Sequence, residues 1–449
     1  MTEAGDRHAA VPLTLRAAGP LSGCVEVAGD KSISHRALML AGLAIGRSEV
    51  TGLLEGEDVL ATAAAMRAFG ASLERLGPGH WAMEGVGVGG LLQPAGALDM
   101  GNSGTSTRLL MGLAASNALT AVFTGDASLS RRPMGRVIAP LARMGAEFSA
   151  SPGERLPLMV RGLSPALPIV HALDVPSAQV KSAILLAGLN AAGETCVIER
   201  APTRDHSERM LAGFGAEISV EALDDGGRAI RVRGGRELAP QSFAVPGDPS
   251  SAAFPLVAAL LVPGSRVRIA GVGMNPTRDG LVRLLEAMGG RIRRTGERLV
   301  GGEPVADLEV EASSLVGIAP DPALAPTLID EYPVLFVAAA LARGRSEFRG
   351  LAELRVKESD RLAAMAGGLA ACGARVEELA DGLVIEGSDG EPLPGGATVA
   401  ARLDHRIAMS FAVLSLVCRA AVTVDDRRPI ATSFPGFLPL MEALGAGVD

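Results

Sequence analysis

The sequence predicts an α/β protein built from six repeated units, and two interleaved series of segments carry that prediction. In the first series an apolar helical pattern runs into Gly-Ala or Gly-Gly six times: MRAFGA at Gly70, LARMGA at Gly145, LAGFGA at Gly215, LEAMGG at Gly289, LAACGA at Gly373 and MEALGA at Gly445. Successive glycines are 75, 70, 74, 84 and 72 residues apart. The expected local structure is a helix halted by a glycine entering the left-handed region, followed by a short strand such as AEISV. In the second series a polar start leads into a strongly apolar helix: DKSISHRALMLAGLA, GNSGTSTRLLMGLAA, PSAQVKSAILLAGLN, GDPSSAAFPLVAALL, IDEYPVLFVAAALA and LDHRIAMSFAVLSLV. Helices apolar on most faces belong in the interior, against sheet. Each unit therefore holds one exposed-type helix, one buried helix and short strands. A repetitive scaffold without catalysis would show the same two series.

Composition narrows the function classes. At 449 residues the chain is about three times a typical ~150-residue domain, so two or more domains are expected. With 48% hydrophobic and 20% charged residues it lies far from the disordered regime. A net charge of −8 and 3% aromatics exclude a dedicated nucleic-acid binder, which needs a basic face and stacking platforms. Any anionic ligand must be held locally. Cys24, Cys196, Cys372 and Cys418 lie singly, without the pairs of a zinc site or the density of a disulfide scaffold, so reduced thiols and a cytoplasmic location are expected. The opening MTEAGDRHAAVPLTLRAAGP lacks a secretory pattern. Apolar runs such as Ala252 to Pro263 and Pro333 to Ala342 are shorter than the ~18 residues of a membrane span, so no membrane partner is expected.

The polar residues of the second series fall in the first turns of the buried helices. In chain order these are Lys31, Ser32 and Arg36; Asn102, Thr105 and Arg108; Ser177, Gln179 and Lys181; Asp330 and Glu331; and Asp404, His405 and Arg406. Helix N-termini offer free N–H groups and positive partial charge to phosphate and carboxylate. If six units surround an axis, these ends meet. Capping alone accounts for Ser, Thr, Asp and Asn at such positions. It does not account for the arginines, which oppose the helix dipole unless an anion lies between.

Lysine usage sharpens the pattern. Only Lys31, Lys181 and Lys357 are lysines among 42 basic residues, and all lie in polar segments of this kind, where a compact ammonium is useful. Lys181, without an acidic neighbour in sequence, reads as structural. In RVKESDR, the spacing of Lys357, Glu358 and Arg361 predicts one helical turn addressing one ligand, a solvated charge cluster being the alternative. Arg131, Arg132 and Arg136 around Pro133 form a further basic cluster.

At these segments the sequence resembles the 5-enolpyruvylshikimate-3-phosphate (EPSP) synthase family, nearest its class II bacterial members, typified by glyphosate-tolerant enzymes. The matching stretches include GDKSISHR, TGLLEGEDV, GNSGTSTR, GDASLSRRPMGR, SAQVKSA, TRDH, NPTR, IDEYP, ELRVKESDRL, LDHRIAMS and IATSFPGF. The resemblance implies the enolpyruvyl transferase fold, a two-domain inverted α/β barrel of six βαβαββ units. It places residues 1–28 plus 247–449 in one domain and 29–246 in the other, with a hinge near 28 and 246. It also implies transfer of the enolpyruvyl group of phosphoenolpyruvate to the 5-hydroxyl of shikimate 3-phosphate by addition and elimination, with release of phosphate. No metal or organic cofactor is expected, the enzyme is expected to be a monomer, and glyphosate is expected to compete for the phosphoenolpyruvate site.

Residue by residue, the resemblance makes Asp330 the acceptor of the hydroxyl proton and Glu358 the acid/base at C3, with Lys31 available to both substrates. Lys31, Gly104, Arg132, Gln179, Arg361 and Arg406 match phosphoenolpyruvate contacts. Lys31, Ser32, Arg36, Ser177, Gln179, Arg204, Asp330 and Lys357 match the shikimate 3-phosphate side. His405 matches an orienting histidine, and Thr105 and Arg108 supporting residues. There are departures. Thr432 stands where many members carry lysine, leaving Arg406 or Arg428 to compensate; Ala178 replaces a serine and Leu109 a proline. Gly104, where tolerant members place Ala, is expected to leave open the space that an added methyl would take from glyphosate. The sister transferase acting on UDP-N-acetylglucosamine is disfavoured because no cysteine occurs between Cys24 and Cys196. Retention of Lys31, Asp330 and Glu358 argues against a non-catalytic homologue, and a pI near 5.5 against a relative acting on RNA ends.

Overall fold

The computed structural model describes residues 10–449; the first nine, part of the stretch read for a secretory signal, lie outside them. Helices of two kinds alternate along the chain. The apolar series forms α1 (Lys31–Ala41), α3 (Gly104–Ala115), α5 (Ala178–Gly188), α7 (Pro249–Leu261), α9 (Tyr332–Leu341) and α11 (His405–Ser415). Between them come α2 (Glu57–Ala68), α4 (Gly135–Arg143), α6 (His206–Gly213), α8 (Gly280–Ala287), α10 (Arg361–Ala371) and α12 (Phe437–Ala443). Every residue of α9, YPVLFVAAAL, is buried, as a helix without a polar face requires. The six repeated glycines each follow one of the second set and have φ between +81° and +102°, a region open to glycine without the steric cost a Cβ carries.

Six small sheets accompany the helices, five of four strands and one of three. The strand Glu194–Glu199 shows the pattern: it is parallel to Val170–Ala172 on one side and antiparallel to Arg228–Arg233 on the other. Arg47–Thr51 does the same between Ser242–Ala244 and His80–Glu84. In the three-stranded sheet, of Arg345–Phe348, Arg375–Leu379 and Gly382–Glu386, no strand is parallel. A single parallel bridge from Val316 to Arg343 lies at the corresponding place in that unit.

The apolar interior falls into two clusters. One gathers α1, α3 and α5 with residues between Ile33 and Val245; the other gathers α7, α9 and α11 with Leu13 to Val27 and residues from Ala252 to Ala446. Within the first, the backbones of α3 and α5 touch at Gly112, where a Cβ would come within 2.3 Å of the Ala183 carbonyl oxygen. The chain passes between the clusters twice, and the two crossings pair. Asp30 N–H donates to Pro246 O at 2.8 Å and Asp248 N–H to Ala28 O at 2.9 Å. Among the described residues no helix is long and apolar enough to cross a membrane.

Candidate active site

All six buried helices begin at one cleft between the two clusters. Its walls include Lys31 and Ser32 of α1, Gly104 and Thr105 of α3, Gln179 of α5, Ser250 of α7, Asp330 just ahead of α9, and His405 and Arg406 of α11. Capping and lining coexist there. Asp30, Ser103, Ser177, Asp248 and Asp404 each accept a first-turn N–H, while the residues beside them face the cleft.

On the wall built by α1, α3, α5 and α6, Lys31 Nζ lies 2.5 Å from the buried Asp58 Oδ2. Burial raises the Asp58 carboxyl, although Lys31 opposes it. Arg36 is fixed by three bonds: Nε to Ser207 Oγ at 2.8 Å, Nη2 to Ser182 Oγ at 2.7 Å and Nη1 to Ser32 O at 2.9 Å. Burial pushes its guanidinium down to about 10. Arg108 Nη1 donates to Gln179 Oε1 at 2.7 Å, and Gln179 Nε2 to Thr105 Oγ1 at 3.0 Å. Arg132 Nη2 donates to Asn102 Oδ1 at 2.6 Å and Ser128 Oγ at 3.2 Å. A Cβ on Gly104 would lie 3.0 Å from Arg108 Nη1 and 3.2 Å from Arg132 Nη1. Gly104 lines the cleft, and two guanidinium groups bound the place an added Cβ would take.

On the opposing wall two carboxylates sit among cations. Asp330 accepts from Arg204 at 2.7 Å and Arg361 at 3.2 Å, with Lys357 Nζ 3.6 Å away. Glu358 accepts from Arg361 Nη2 at 2.6 Å, with Arg132 Nη1 at 3.7 Å. Burial alone would raise both groups. Lys357, Arg204, Arg406 and Arg361 outweigh it at Asp330, and Arg361, Arg132, His405 and Lys357 at Glu358, so both are held well below the usual carboxylate range. Neither is a helix cap or a surface ion pair. His405 is pushed well below its ordinary value by burial and by Lys31 and Arg406, so it is a neutral imidazole.

The structure brings Lys31, Ser32, Arg36, Gly104, Arg132, Ser177, Gln179, Arg204, Asp330, Lys357, Glu358, His405 and Arg406 to the cleft. Arg361 stands behind it at 1% exposure, tied to Asp404, Asp330 and Glu358. One expectation needs correction, and two of the basic residues singled out lie outside the cleft. Lys357 and Glu358 do not share a helical turn with Arg361: they lie in the irregular approach to α10, whose cap is Asp360. Arg131 is exposed and does not line the cleft. Of the two cations offered as substitutes near Thr432, Arg428 is held by Asp426, leaving Arg406 in the cleft. Sequence reasoning passed over Asp58, Ser128, Ser207 and Arg278. Asp58 lay within the matching stretch TGLLEGEDV, but nothing local linked it to Lys31. Lys181, read as structural, is fully buried between Glu199 at 3.0 Å and Glu208 at 2.6 Å.

A profile of EPSP synthase (3-phosphoshikimate 1-carboxyvinyltransferase) matches residues 15–441. The chain belongs to the EPSP synthase family. It is 66% identical over 444 residues to the 3-phosphoshikimate 1-carboxyvinyltransferase of Sphingopyxis alaskensis, covering 98% of this chain and 99% of that protein. Identity to the Novosphingobium aromaticivorans protein of the same name is 64% over 435 residues, with 96% and 99% covered. The solved EPSP synthase of Acinetobacter baumannii superposes with a TM-score of 0.85 at 43% identity, covering 98% of this chain and 99% of that one. The fold is accordingly the two-domain enolpyruvyl transferase fold, and the chain is a transferase of the shikimate pathway.

Proposed function

We propose that this cleft is where the enolpyruvyl group of phosphoenolpyruvate passes to the 5-hydroxyl of shikimate 3-phosphate with release of phosphate. The observation that carries this reading is the pair of ionised carboxylates, Asp330 and Glu358, set among cations from both walls. Asp330 takes the hydroxyl proton as the oxygen attacks C2 of phosphoenolpyruvate, while Glu358 delivers a proton to C3. The resulting tetrahedral intermediate collapses when Glu358 recovers the C3 proton and phosphate departs with the proton held by Asp330. Each carboxyl group ends in the state in which it began, so the two suffice for the proton transfers and no metal or organic cofactor is required. Glu358 must carry a proton at the start. Substrate anions at Arg132 and Arg361 share the field that holds it ionised, and so return proton affinity to it.

Lys31, Gly104, Arg132, Gln179, Arg361 and Arg406 serve phosphoenolpyruvate. Lys31, Ser32, Arg36, Ser177, Gln179, Arg204, Asp330 and Lys357 serve shikimate 3-phosphate, and neutral His405 orients. Glyphosate competes at the phosphoenolpyruvate subsite. Residues 1–28 with 247–449 form one domain and 29–246 the other, hinged near 28 and 246; the two apolar clusters and the paired crossings support this division. Both walls come from one chain, which supports a monomer. Four unpaired cysteines support a cytoplasmic location. The test is phosphate release from phosphoenolpyruvate with and without shikimate 3-phosphate. Release only with both substrates is expected; none from folded protein overturns the reading.

A further inference from the structure

The start of α6 bonds in two directions. Arg204, Asp205 and His206 reach across to the other wall, to Asp330 at 2.7 Å, Asn275 Nδ2 at 2.6 Å and Glu303 Oε1 at 2.8 Å. Ser207 and Glu208 reach back into their own side, to Arg36 Nε at 2.8 Å and Lys181 Nζ at 2.6 Å. His206 and Glu303 are each 2% exposed. Asn275 Nδ2 also donates to Glu303 Oε2, at 2.8 Å. A carboxylate only accepts, so His206 Nδ1 carries the proton in this bond.

Asp205, His206 and Glu303 have the composition of a metal site, with donor atoms within 4.8 Å of one another. The Asn275 amide nitrogen already lies against both carboxylates. It cannot turn its oxygen inward, because Oδ1 accepts from Thr277 N–H at 2.9 Å and Thr277 Oγ1 at 2.8 Å. The cluster is a hydrogen-bonded knot beside the two crossings, in which His206 Nε2 alone is buried without a partner. A neighbouring hairpin reinforces it: Arg209 Nη1 donates to Gly302 O at 3.3 Å.

We infer that His206 is a positioning residue for the shikimate 3-phosphate side, an inference that rests on the function proposed above. Its bond to Glu303 sets where α6 begins. That places Arg204 against Asp330 and Ser207 against Arg36, all on the side assigned to this substrate. Among the described residues, Gly104, Arg132, Arg361 and Arg406, assigned to phosphoenolpyruvate alone, make no hydrogen bond to residues 204–208; Arg361 meets Arg204 only through their shared partner Asp330. Loss of the knot therefore acts on one substrate more than on the other.

Steady-state phosphate release tests this with both substrates varied. His206→Gln moves the amide toward the Nε2 position and leaves Glu303 Oε1 without its donor, while Oε2 keeps Asn275. It is expected to raise KM for shikimate 3-phosphate about tenfold, the scale of a lost hydrogen bond to a charged group. KM for phosphoenolpyruvate is expected to change by less than about twofold. His206→Asn puts an amide nitrogen where Nδ1 stood and is expected to recover most of the lost affinity. Equal rises in both KM values, or Asn and Gln variants that behave alike, overturn the inference while leaving the proposed function intact. If His206→Gln does not fold, Glu303→Ala must give the same selective rise, and a uniform loss there overturns it. Absence of release from the unmodified protein overturns the proposed function and the inference with it.

Discussion

One methyl group at Gly104 tests the proposed phosphoenolpyruvate subsite directly. Gly104 opens α3 and is not among the residues with positive φ, so alanine there carries no backbone penalty. Its Cβ would stand 3.0 Å from Arg108 Nη1 and 3.2 Å from Arg132 Nη1, so each guanidinium must retreat by a few tenths of an ångström. Neither is free to do so without loss, since Gln179 holds Arg108 and Asn102 holds Arg132. On the function proposed above, glyphosate is the longer occupant of that subsite and would meet the methyl more fully than phosphoenolpyruvate. A ligand that must itself overpack against the methyl loses about 1 to 3 kcal/mol, which corresponds to about 5- to 150-fold in binding. Gly104→Ala is therefore expected to raise the glyphosate inhibition constant within that range and KM for phosphoenolpyruvate by a smaller factor. Phosphate release at several phosphoenolpyruvate and glyphosate concentrations measures both. Equal factors would refute the steric reasoning, and an unmodified protein already insensitive to glyphosate would show that Gly104 is not the deciding contact.

Asp330→Ala and Glu358→Gln should each lower kcat by ~10²- to 10⁴-fold, far more than they weaken substrate affinity, as expected of positioned acid/base groups; weaker binding at normal turnover would remove the roles assigned to them. Arg361→Met withdraws a cation that helps to hold both carboxylates low, so their pKa values rise. Because Asp330 must be ionised to accept a proton, the acidic limb of kcat/KM should move to higher pH, and an unmoved limb would contradict the electrostatic argument. Lys181→Met leaves Glu199 and Glu208 buried without their cation and should cost ~3 to 5 kcal/mol in urea unfolding; a loss under ~1 kcal/mol would show that these carboxyl groups simply take up protons.

The repeat architecture was legible because each unit carries its own punctuation. A glycine that halts a helix and a polar residue that starts one are local signals; all six glycines appear where the sequence places them, and five of the six buried helices open on a capping side chain, α9 being the exception with Asp330 and Glu331 ahead of it. The basic residues at helix starts were legible for the same reason, since a cation beside a helix N-terminus is locally unfavourable and asks for an anion. Contacts made across the cleft were not. Asp58 approaches Lys31 from α2, and Ser128 Oγ donates to Glu358 O at 3.1 Å across 230 residues; no periodicity encodes such pairs. The RVKESDR segment misled by its spacing. Asp360 caps the helix after the first charges have passed, so Lys357 and Glu358 obey loop geometry. Lys181 shows the reverse: its isolation in sequence was informative, but its two partners belong to a later strand and helix.

The ion pairs around Asp330 and Glu358 have a consequence for product release. Arg204, Arg361 and Lys357 surround one carboxylate, and Arg361 and Arg132 the other. These cations therefore never await an anion uncovered; the protein supplies placeholders of its own. An incoming phosphate or carboxylate group competes with a tethered rival, and its net gain is the difference between two pairings. The rival stays within reach, so a departing phosphate is replaced at once by a group that needs no diffusion to return. On the proposed mechanism the carboxylates that move protons also cover these cations between turnovers.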